Sequence, residues 1–328
     1  MTVAIASASV RAEIQLFGAM ATARFKLGGC WVDPFFRAPW YDETQPDSFL
    51  NNLRGDFVCA PFGGTPASSF GYSDEWKNLV KHASKTTFAH GYPAHHVWEL
   101  VEQRKDWALL QITDAPYFSS VTRKVVCKEG GILYLEDSIY PQKSMRLPLG
   151  LHPIFRLPEK LGEAKLHLPA CKGLYTFPGA VDHSSMFETF QISRKADSIP
   201  LASGDVCDIT SLPLPYCTEE LVLLANVEEG KVMLDDFSKK YRVILEWDNS
   251  VLKSCLLWFS NRGRKARPWN GTNLCIGIEP VTAAFDLGEE ISANENPLLK
   301  NGIMTAVQLQ AKEVCTIRHQ ITVERVIQ

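Results

Sequence analysis

Hydrophobic and polar residues alternate with a period of two over many short stretches of the chain. This alternation is typical of β-strands that bury one face, because successive side chains of a strand point to opposite sides. In KYRVILEW (240–247), for example, Tyr241, Val243 and Leu245 share one face. Comparable strand patterns cover residues 96–103, 107–113, 120–128, 131–138, 221–227, 253–260 and 305–326.

Helical periodicity is much rarer, and the best helix candidate is the short stretch DEWKNLVKHA (74–83). Most strand patterns are separated by short polar or glycine-containing turns, such as KEGG (128–131), which suit antiparallel hairpins. No break in composition, repeat or low-complexity segment divides the chain. We therefore predict an all-β fold, a large antiparallel β-sandwich, with residues 1–328 forming a single domain. The stretches 193–219 and 262–273 are predicted to be loops.

The overall charge and the cysteines restrict the possible partners and the cellular compartment. A formal net charge of -3 and an isoelectric point near 6.3 exert no general attraction on nucleic acids or acidic membranes, so we expect neither as a partner. The nine cysteines are scattered singly without a C-x-x-C pair, which favours reduced thiols in the cytoplasm. No apolar run approaches the roughly 18 residues that span a bilayer, and the N-terminus lacks the charged start of a signal peptide. We expect a small or neutral partner molecule.

The stretch GLHPIFRLP (150–158) places a histidine directly before a proline, in a run that otherwise has the pattern of a buried strand. A residue before proline is held in extended geometry, and Pro153 has no N–H for a strand ladder. We therefore expect His152 at a strand end or bulge that opens to a cleft. The alternative for a single histidine is a half-buried side chain that is hydrogen-bonded to the backbone.

A second candidate is FAHGYPAHHVWEL (88–100), in which His90, His95 and His96 lie close to Trp98. The stretch contains no cysteine, and the spacing of its histidines matches no structural zinc pattern. Sugar binding is the better interpretation, because an aromatic ring stacks on the C–H face of a pyranose while imidazole hydrogen-bonds its hydroxyls.

Two further stretches carry charged side chains beside turn or strand signals. In CIGIEPVTAAFD (275–286) an apolar run leads to Glu279, and Pro280 is expected to stop the strand. Glu279 is then either a satisfied strand-end residue or a base whose pKa depends on its surroundings. LRGDFVCAPFGG (53–64) is a turn-rich loop with Arg54 and Asp56, and Arg-Gly-Asp triples also occur in ordinary surface turns.

Taken in chain order, these elements resemble those of the galactose mutarotase-like family, the aldose 1-epimerases. In that family an HG pair follows an arginine-bearing loop, an H-P-x-F or H-x-Y-F element comes mid-chain and an I-E-P segment comes late. The matching elements here begin at Arg54, His90, His152 and Ile278. The resemblance spans about residues 25–325 and implies a large β-supersandwich.

The resemblance also implies a function, the interconversion of the α and β anomers of a hexose or hexose phosphate. By position, Glu279 is the general base and His152 the general acid, and His90 and Arg54 hold the sugar. The reaction removes a proton from the anomeric hydroxyl and delivers one to the ring oxygen, so it requires no metal or organic cofactor. A carboxylate and an imidazole on opposite sides of a sugar can perform both transfers.

The sequence departs from the family pattern in two places. Family members often continue the HG pair into an aromatic residue and an arginine, whereas Tyr92-Pro93-Ala94 and then His95 and His96 follow here. Either His96 or His95 replaces a sugar contact, or the subsite differs, and Trp98 is a further candidate because its ring can stack on a sugar. The family also has a sugar-binding aspartate between the mid-chain histidine and the late glutamate. Asp236 is our choice for that residue, and the other available aspartates are Asp235 and Asp248.

Two other functions are compatible with the same residues. A sugar-binding or regulatory protein of this fold would bind a sugar without turnover. Glycoside hydrolysis or lyase chemistry is less favoured, because hydrolysis usually requires two carboxylates beside the bond. The basic side chains in the loop 262–273 either reach a phosphate or, as the favoured interpretation, are solvated; they are Arg262, Arg264, Lys265 and Arg267.

Overall fold

The computed structural model describes residues 1–42, 48–66 and 71–326. Strands account for 47% of the structure and helices for 9%, which confirms the predicted all-β class. The first twelve strands are β1 (Thr2–Ala6), β2 (Val10–Gln15), β3 (Met20–Leu27), β4 (Cys30–Val32), β5 (Val58–Cys59), β6 (Glu99–Gln103), β7 (Trp107–Ala115), β8 (Phe118–Lys128), β9 (Ile132–Pro141), β10 (Met145–Leu147), β11 (Leu149–Leu151) and β12 (Ile154–Arg156).

The later strands include several two-residue pieces in the region that was predicted as a loop. They are β13 (Ala164–His167), β14 (Cys171–Thr176), β15 (Ile192–Ser193), β16 (Ile199–Pro200), β17 (Val206–Cys207), β18 (Ser211–Leu212), β19 (Thr218–Val227), β20 (Lys231–Asp236), β21 (Tyr241–Trp247), β22 (Ser254–Asn261), β23 (Leu274–Thr282), β24 (Val307–Leu309) and β25 (Cys315–Arg325). The described helices are α1 (Phe49–Asn52), α2 (Asp74–His82), α3 (Gly288–Ala293) and α4 (Pro297–Lys300), with a 3₁₀ turn at Tyr92–His95. The predicted helix is confirmed as α2, and none of the described helices is long and apolar enough to cross a membrane.

Two large antiparallel sheets form the body of the described structure. One has nine strands in the order β18-β13-β20-β21-β25-β9-β8-β7-β6. The other has eight strands, seven of them in the order β15-β14-β19-β22-β23-β11-β5, and β12 also pairs with β23. Strands β1 to β4 form a separate sheet near the N-terminus, while β10 pairs with β24 and β16 with β17.

The two large sheets differ in how many faces they bury. Residues of β21 alternate between buried and half-buried, as the period-two pattern predicts, because one face of the nine-stranded sheet packs on the core. Every residue of β22 is buried, since the eight-stranded sheet is covered on both sides. Leu257 packs in the core shared with the nine-stranded sheet, whereas Leu256 and Trp258 pack with Trp76 and Phe285 on the outer side.

Two details of the strand predictions are wrong. The stretch 305–326 contains two strands, β24 and β25, because the chain turns between them, with Lys312 at a φ of 65°, and β24 joins a different sheet. Pro280 does not stop its strand, since β23 continues to Thr282. The Ile278 N–H donates to the carbonyl of Pro153, so Pro280, two residues later, faces the same neighbour at the break between β11 and β12. The strand continues through Pro280 because β23 stays paired with β22 on its other side, where Cys255 is opposite Pro280.

Candidate active site

His152 and Glu279 face each other on neighbouring strands of the eight-stranded sheet. His152 lies in the two-residue break between β11 and β12, and both strands pair with β23 in one continuous register. Glu279 is therefore directly opposite His152, which places the two side chains on the same face of the sheet. The distance from His152 Nε2 to Glu279 Oε1 is 3.3 Å, and both side chains are buried. The predicted strand end or bulge at His152 is confirmed as this break.

Aromatic side chains fix the orientation of the His152 ring. The Phe57 ring stacks on it with a centroid distance of 4.7 Å and an interplanar angle of 15°. The rings of His90 and Trp258 approach edge-on, at 4.9 Å and 5.8 Å. The backbone N–H of His152 donates to the carbonyl of Phe57 over 2.9 Å. The imidazole is thus held on several sides while its edge remains directed at Glu279.

The HG pair has a clear structural reason. His90 has a φ of 63° and Gly91 a φ of 92°, and the His90 N–H donates to the carbonyl of Gly63 over 2.8 Å. A Cβ atom at Gly91 would lie 2.3 Å from the carbonyl oxygen of Ala60, so only glycine fits. A non-glycine residue with positive φ is strained, and such strain is often found at functional sites. The tight backbone turns the His90 ring toward His152.

A cavity of about 120 Å³ contains both members of the pair and His90. Leu221 and Leu256 form its floor together with Trp258, on the outer face of the eight-stranded sheet. Its remaining wall consists of Phe49, Leu50, Leu53, Val181, Arg264, Trp269 and Asp286. The site therefore combines an apolar and aromatic surface with a small number of polar groups, which is typical of small-molecule sites.

Three of the residues that line this cavity each have a buried polar atom without a hydrogen-bond partner among the described residues. These atoms are Nδ1 of His90, Nδ1 of His152 and Oε1 of Glu279. Buried polar atoms are normally hydrogen-bonded, so this concentration indicates a place for the polar groups of a ligand. A larger cavity of about 520 Å³ lies beyond Ala60 and Gly91, but neither member of the pair lines it.

Burial shifts the protonation of the pair in opposite directions. It raises the pKa of Glu279 well above its ordinary value, and the nearby negative charge of Asp286 raises it further. Burial lowers the pKa of His152 well below its ordinary value and that of His90 to about 4. A second proton would leave the pair with a positive charge, and removal of the last proton would leave it with a negative charge. Because an uncompensated charge is costly when buried, the pair favours a state with one proton, and the directions of the two pKa shifts place that proton on Glu279.

Arg264 is the basic residue of the loop 262–273 that reaches the cavity. Its guanidinium lies 3.3 Å from Oε1 of the fully buried Glu219 and 4.9 Å from the centre of the Trp269 ring. Glu219 also accepts hydrogen bonds from Trp258 Nε1 at 2.7 Å and Ser260 Oγ at 3.1 Å. The solvated interpretation fits only the two exposed side chains, Lys265 and Arg267, whereas Arg262 pairs with Glu159.

Asp286 also reaches the cavity, although the sequence patterns did not identify it. It follows Phe285, whose φ is 53°, and its carbonyl accepts the N–H of Gly64 over 2.8 Å. Burial raises the pKa of Asp286 to about 6, and the positive charge of Arg264 opposes this rise. The cavity thus has a second carboxyl group beside Glu279, positioned to accept hydrogen bonds from ligand hydroxyls.

The structure does not bring Arg54 or Asp236 into this cavity. Arg54 Nε donates to the carbonyl of Asn52 over 3.0 Å, and its guanidinium lies over the ring of Tyr41. Asp236 belongs to the nine-stranded sheet. Its carboxylate accepts hydrogen bonds from Ser238 Oγ and the backbone N–H of Lys239, so it closes the turn after β20.

His96 and Trp98 do not line the cavity either. The His96 ring stacks on Tyr92 at a centroid distance of 3.5 Å, and its Nδ1 lies 2.9 Å from the Tyr92 carbonyl oxygen. Trp98 is a core residue, and its Nε1 donates to the carbonyl of Pro93 over 2.8 Å. His95 contributes to the cavity wall only indirectly, because its ring stacks at 4.6 Å on Phe49, and Phe49 lines the cavity. This part of the loop therefore shapes the wall of the site.

Comparison with known proteins relates this arrangement to solved structures. No protein-family model matches the sequence, and no curated protein matches it. A protein described as an aldose 1-epimerase from Escherichia coli K12 superposes with a TM-score of 0.68 at 13% identity, covering 99% of each chain. An aldose epimerase homologue from C. elegans gives 0.66 at 14%, covering 100% of this chain and 99% of its own. A galactose mutarotase-like protein from Lactobacillus casei gives 0.60 at 16%, covering 98% and 100%.

These comparisons establish the fold. The chain has the antiparallel supersandwich of the galactose mutarotase-like and aldose 1-epimerase proteins, and the resemblance predicted from the sequence is confirmed at this level. Fold alone does not fix an activity, because function depends on the residues of the site.

Proposed function

We propose that this protein is an isomerase of the aldose 1-epimerase type, which interconverts the α and β anomers of a hexose or hexose phosphate. The observation that carries the proposal is the buried contact between His152 and Glu279, which line one cavity and each have a buried polar atom without a hydrogen-bond partner among the described residues. Glu279 acts as the general base and His152 as the general acid. Each well-placed group of this kind contributes about 10²–10⁴-fold to a rate.

The single proton of the pair matches the stoichiometry of the reaction. In the reactive state this proton has moved from Glu279 to His152, so that Glu279 is a carboxylate and His152 an imidazolium. Glu279 accepts the proton of the anomeric hydroxyl while His152 donates a proton to the ring oxygen, the C1–O5 bond breaks, and the open aldehyde forms. The pair then consists of a carboxylic acid and a neutral imidazole, so its total number of protons is unchanged.

Ring closure reverses these transfers. The aldehyde turns about the C1–C2 bond and presents its other face to the O5 hydroxyl. His152 accepts the O5 proton while Glu279 returns its proton to the carbonyl oxygen, which becomes the anomeric hydroxyl of the other anomer. The pair is restored without an exchange of protons with solvent.

Other side chains of the cavity are suited to hold the sugar. We assign His90 and Asp286 as hydrogen-bonding partners of sugar hydroxyls, and Arg264 as a further donor. Trp258 and Trp269 offer aromatic surface to the C–H face of a pyranose. We further propose a cytoplasmic location, because all nine cysteines are free thiols and a reducing compartment keeps them so.

Anomer exchange measured by NMR tests the proposal. Freshly dissolved α anomers of glucose, galactose and glucose 6-phosphate are followed with and without the protein. We expect faster equilibration of at least one of them. Saturable binding of a sugar without faster exchange would instead support a non-catalytic sugar-binding protein. If the protein neither binds any of the three sugars nor speeds up their equilibration, the proposal is contradicted.

A further inference from the structure

Behind the candidate site lies a cluster of four ionisable side chains that the proposed chemistry does not use. Asp56, Arg123 and Asp137 are fully buried, and His319 is nearly so. Arg123 on β8 is paired in register with Asp137 on β9, and His319 lies on the adjacent β25. Three members thus belong to the nine-stranded sheet, while Asp56 lies on the loop that leads into β5 of the other sheet.

Asp56 is fastened to the nine-stranded sheet by side-chain and backbone contacts. Its carboxylate accepts hydrogen bonds from Nη2 of Arg123 and, over 2.9 Å, from Nε2 of His319. Its backbone carbonyl accepts a bond from Nη1 of Arg123 over 3.3 Å. Charge-assisted bonds of this kind are stronger than neutral ones, and here they are shielded from water. The segment that contains Asp56 therefore has a fixed position between the sheets.

This segment contacts His152 on both sides of Asp56. Phe57 stacks on the His152 ring and accepts its backbone N–H, as described above. The carbonyl of Gly55 accepts the N–H of Ile154 over 2.8 Å, two residues beyond His152. Residues 55–57 thus run beside the break between β11 and β12, which contains the proposed acid His152.

We propose that Asp56 is a positioning residue for the acid–base pair. Held by Arg123 and His319, it fixes Phe57 against the His152 ring, and its negative charge stabilises the imidazolium that must protonate the sugar ring oxygen. The catalytic part of this role rests on the proposed function. The effect on His152 itself is a property of the free protein and is measurable without turnover.

The charges around these groups agree with this role. Glu279 and His90 approach the His152 ring, whereas the Asp56 carboxylate lies on Arg123 and His319. Burial lowers the pKa of His152, the charge of His90 lowers it further, and the charge of Asp56 opposes this decrease. His319 and Arg123 hold the pKa of Asp56 at about 2 against the effect of burial, so Asp56 is ionised at neutral pH.

Two other ionisable groups near Asp56, Asp137 and Cys59, do not hold the segment 55–57 by hydrogen bonds. Oδ1 of Asp137 lies 3.5 Å from Nε of Arg123, although neither carboxyl oxygen has a hydrogen-bond partner among the described residues. Burial raises the pKa of Asp137 to about 6, and the charge of Arg123 opposes this rise. Burial keeps the Cys59 thiol neutral by raising its pKa. Asp137 is a buried carboxyl group of the same cluster without a hydrogen bond to residues 55–57, which makes Asp137→Asn a matched control for Asp56→Asn.

A titration of His152 tests the electrostatic part of the proposal. The protein is labelled with ¹³C at histidine, the His152 signal is assigned from its loss in His152→Gln, and the titration midpoint is followed by NMR. Asp56→Asn should lower the midpoint, because the charge that favours the imidazolium is lost, whereas Asp137→Asn should leave it unchanged. Equal midpoints in the wild type and Asp56→Asn, or equal shifts in both variants, would overturn this part.

Kinetics and a second variant test the positioning part. In Asp56→Asn we expect kcat for anomer exchange to fall about tenfold with KM nearly unchanged, because the sugar contacts remain. Phe57→Leu removes the stacking ring but no buried charge, so it remains informative if Asp56→Asn does not fold. We expect Phe57→Leu to shift the His152 signal and lower kcat, and a folded Phe57→Leu with neither change would overturn this part. If the wild type shows no exchange at all, the proposed function fails, while the titration still decides the effect of Asp56 on His152.

Discussion

Glu279 and His152 occupy directly opposed positions on two antiparallel strands, and each is followed by a proline. The prolines cannot donate to the strand ladder, and they fall where β11 gives way to β12. The ladder thus lacks two N–H donors at the level of the two side chains, while the strands on either side remain paired. An acid–base pair on paired strands is held more rigidly than one on loops, and rigid placement is what proton transfer requires.

The first prediction concerns the dependence of the exchange rate on pH. The rate should be level around pH 7, because the pair keeps one proton over a wide range. At low pH the rate should fall when His152 takes up a second proton for the pair, and the lowered pKa of His152 places this step well below pH 6.5. At high pH the rate should fall when Glu279 loses the last proton, and the raised pKa of Glu279 places this step well above pH 4.5. Rates of NMR anomer exchange, buffered from pH 4 to 10, test this. A single transition centred near pH 7 would contradict the one-proton state.

The second prediction distinguishes Asp286 from Asp236 as the aspartate that binds the sugar. Asp286→Asn removes a carboxylate acceptor from the cavity and should raise KM about tenfold while changing kcat less. Asp236→Asn, the corresponding change at the aspartate chosen from the sequence, should leave KM unchanged. It should lower the free energy of unfolding by about 1 kcal/mol, because Asp236 closes a turn. The opposite pattern of KM values would show that Asp236 binds the sugar.

The third prediction concerns the backbone that presents His90. Gly91→Ala should destabilise the protein and abolish exchange, because the added Cβ would meet the Ala60 carbonyl oxygen at 2.3 Å and push His90 away. Gly130→Ala is the matched control, since Gly130 also has positive φ but has no atom within 4 Å of the added Cβ. We expect the control to cost only about 1 kcal/mol of unfolding free energy and to remain active. Urea unfolding and exchange rates measure both effects, and similar losses in the two variants would refute the steric explanation.

The fourth prediction concerns stability in acid. The pKa of Asp56 is lowered to about 2 in the folded protein from an ordinary value of 3.8. Its ionised form therefore contributes stability that is fully present above pH 4 and is lost as the pH falls toward 2, on the order of 2 kcal/mol. The ionised form of Asp137 has the opposite effect and lowers the stability of the folded protein, because burial raises its pKa to about 6. Asp137→Asn should therefore be more stable than the wild type at pH 7. Unfolding free energies measured from pH 2 to 7 test both statements, and an Asp56→Asn variant with the acid sensitivity of the wild type would contradict the first.

The fold could be predicted from the sequence because one-sided burial produces alternation, and β21 shows it directly. The fully buried strands β22 and β23 are harder to place by pattern, since both of their faces are apolar. Pro280 was misread for a related reason, because the sequence does not reveal which neighbour its missing N–H faces. The single-domain assignment stays a prediction.

The candidate site was only partly predictable. Order along the chain brought His90, His152 and Glu279 together correctly as neighbours in space. Trp98 was misplaced because a core indole and a sugar-binding indole have the same local pattern. Asp286 carried no sequence signal of its own, since its place in the cavity results from a turn at Phe285 and from packing against distant loops.

The most direct test of the central claim is the rate of anomer exchange in Glu279→Gln, measured by NMR on the sugar that the wild type equilibrates fastest. The control is Glu220→Gln, because Glu220 is equally buried and accepts hydrogen bonds from Met186, Phe187 and Thr218, but lies outside the cavity. We predict that Glu279→Gln loses about 10²–10⁴-fold in rate while Glu220→Gln retains the wild-type rate. A folded Glu279→Gln protein with an unchanged exchange rate would contradict the account.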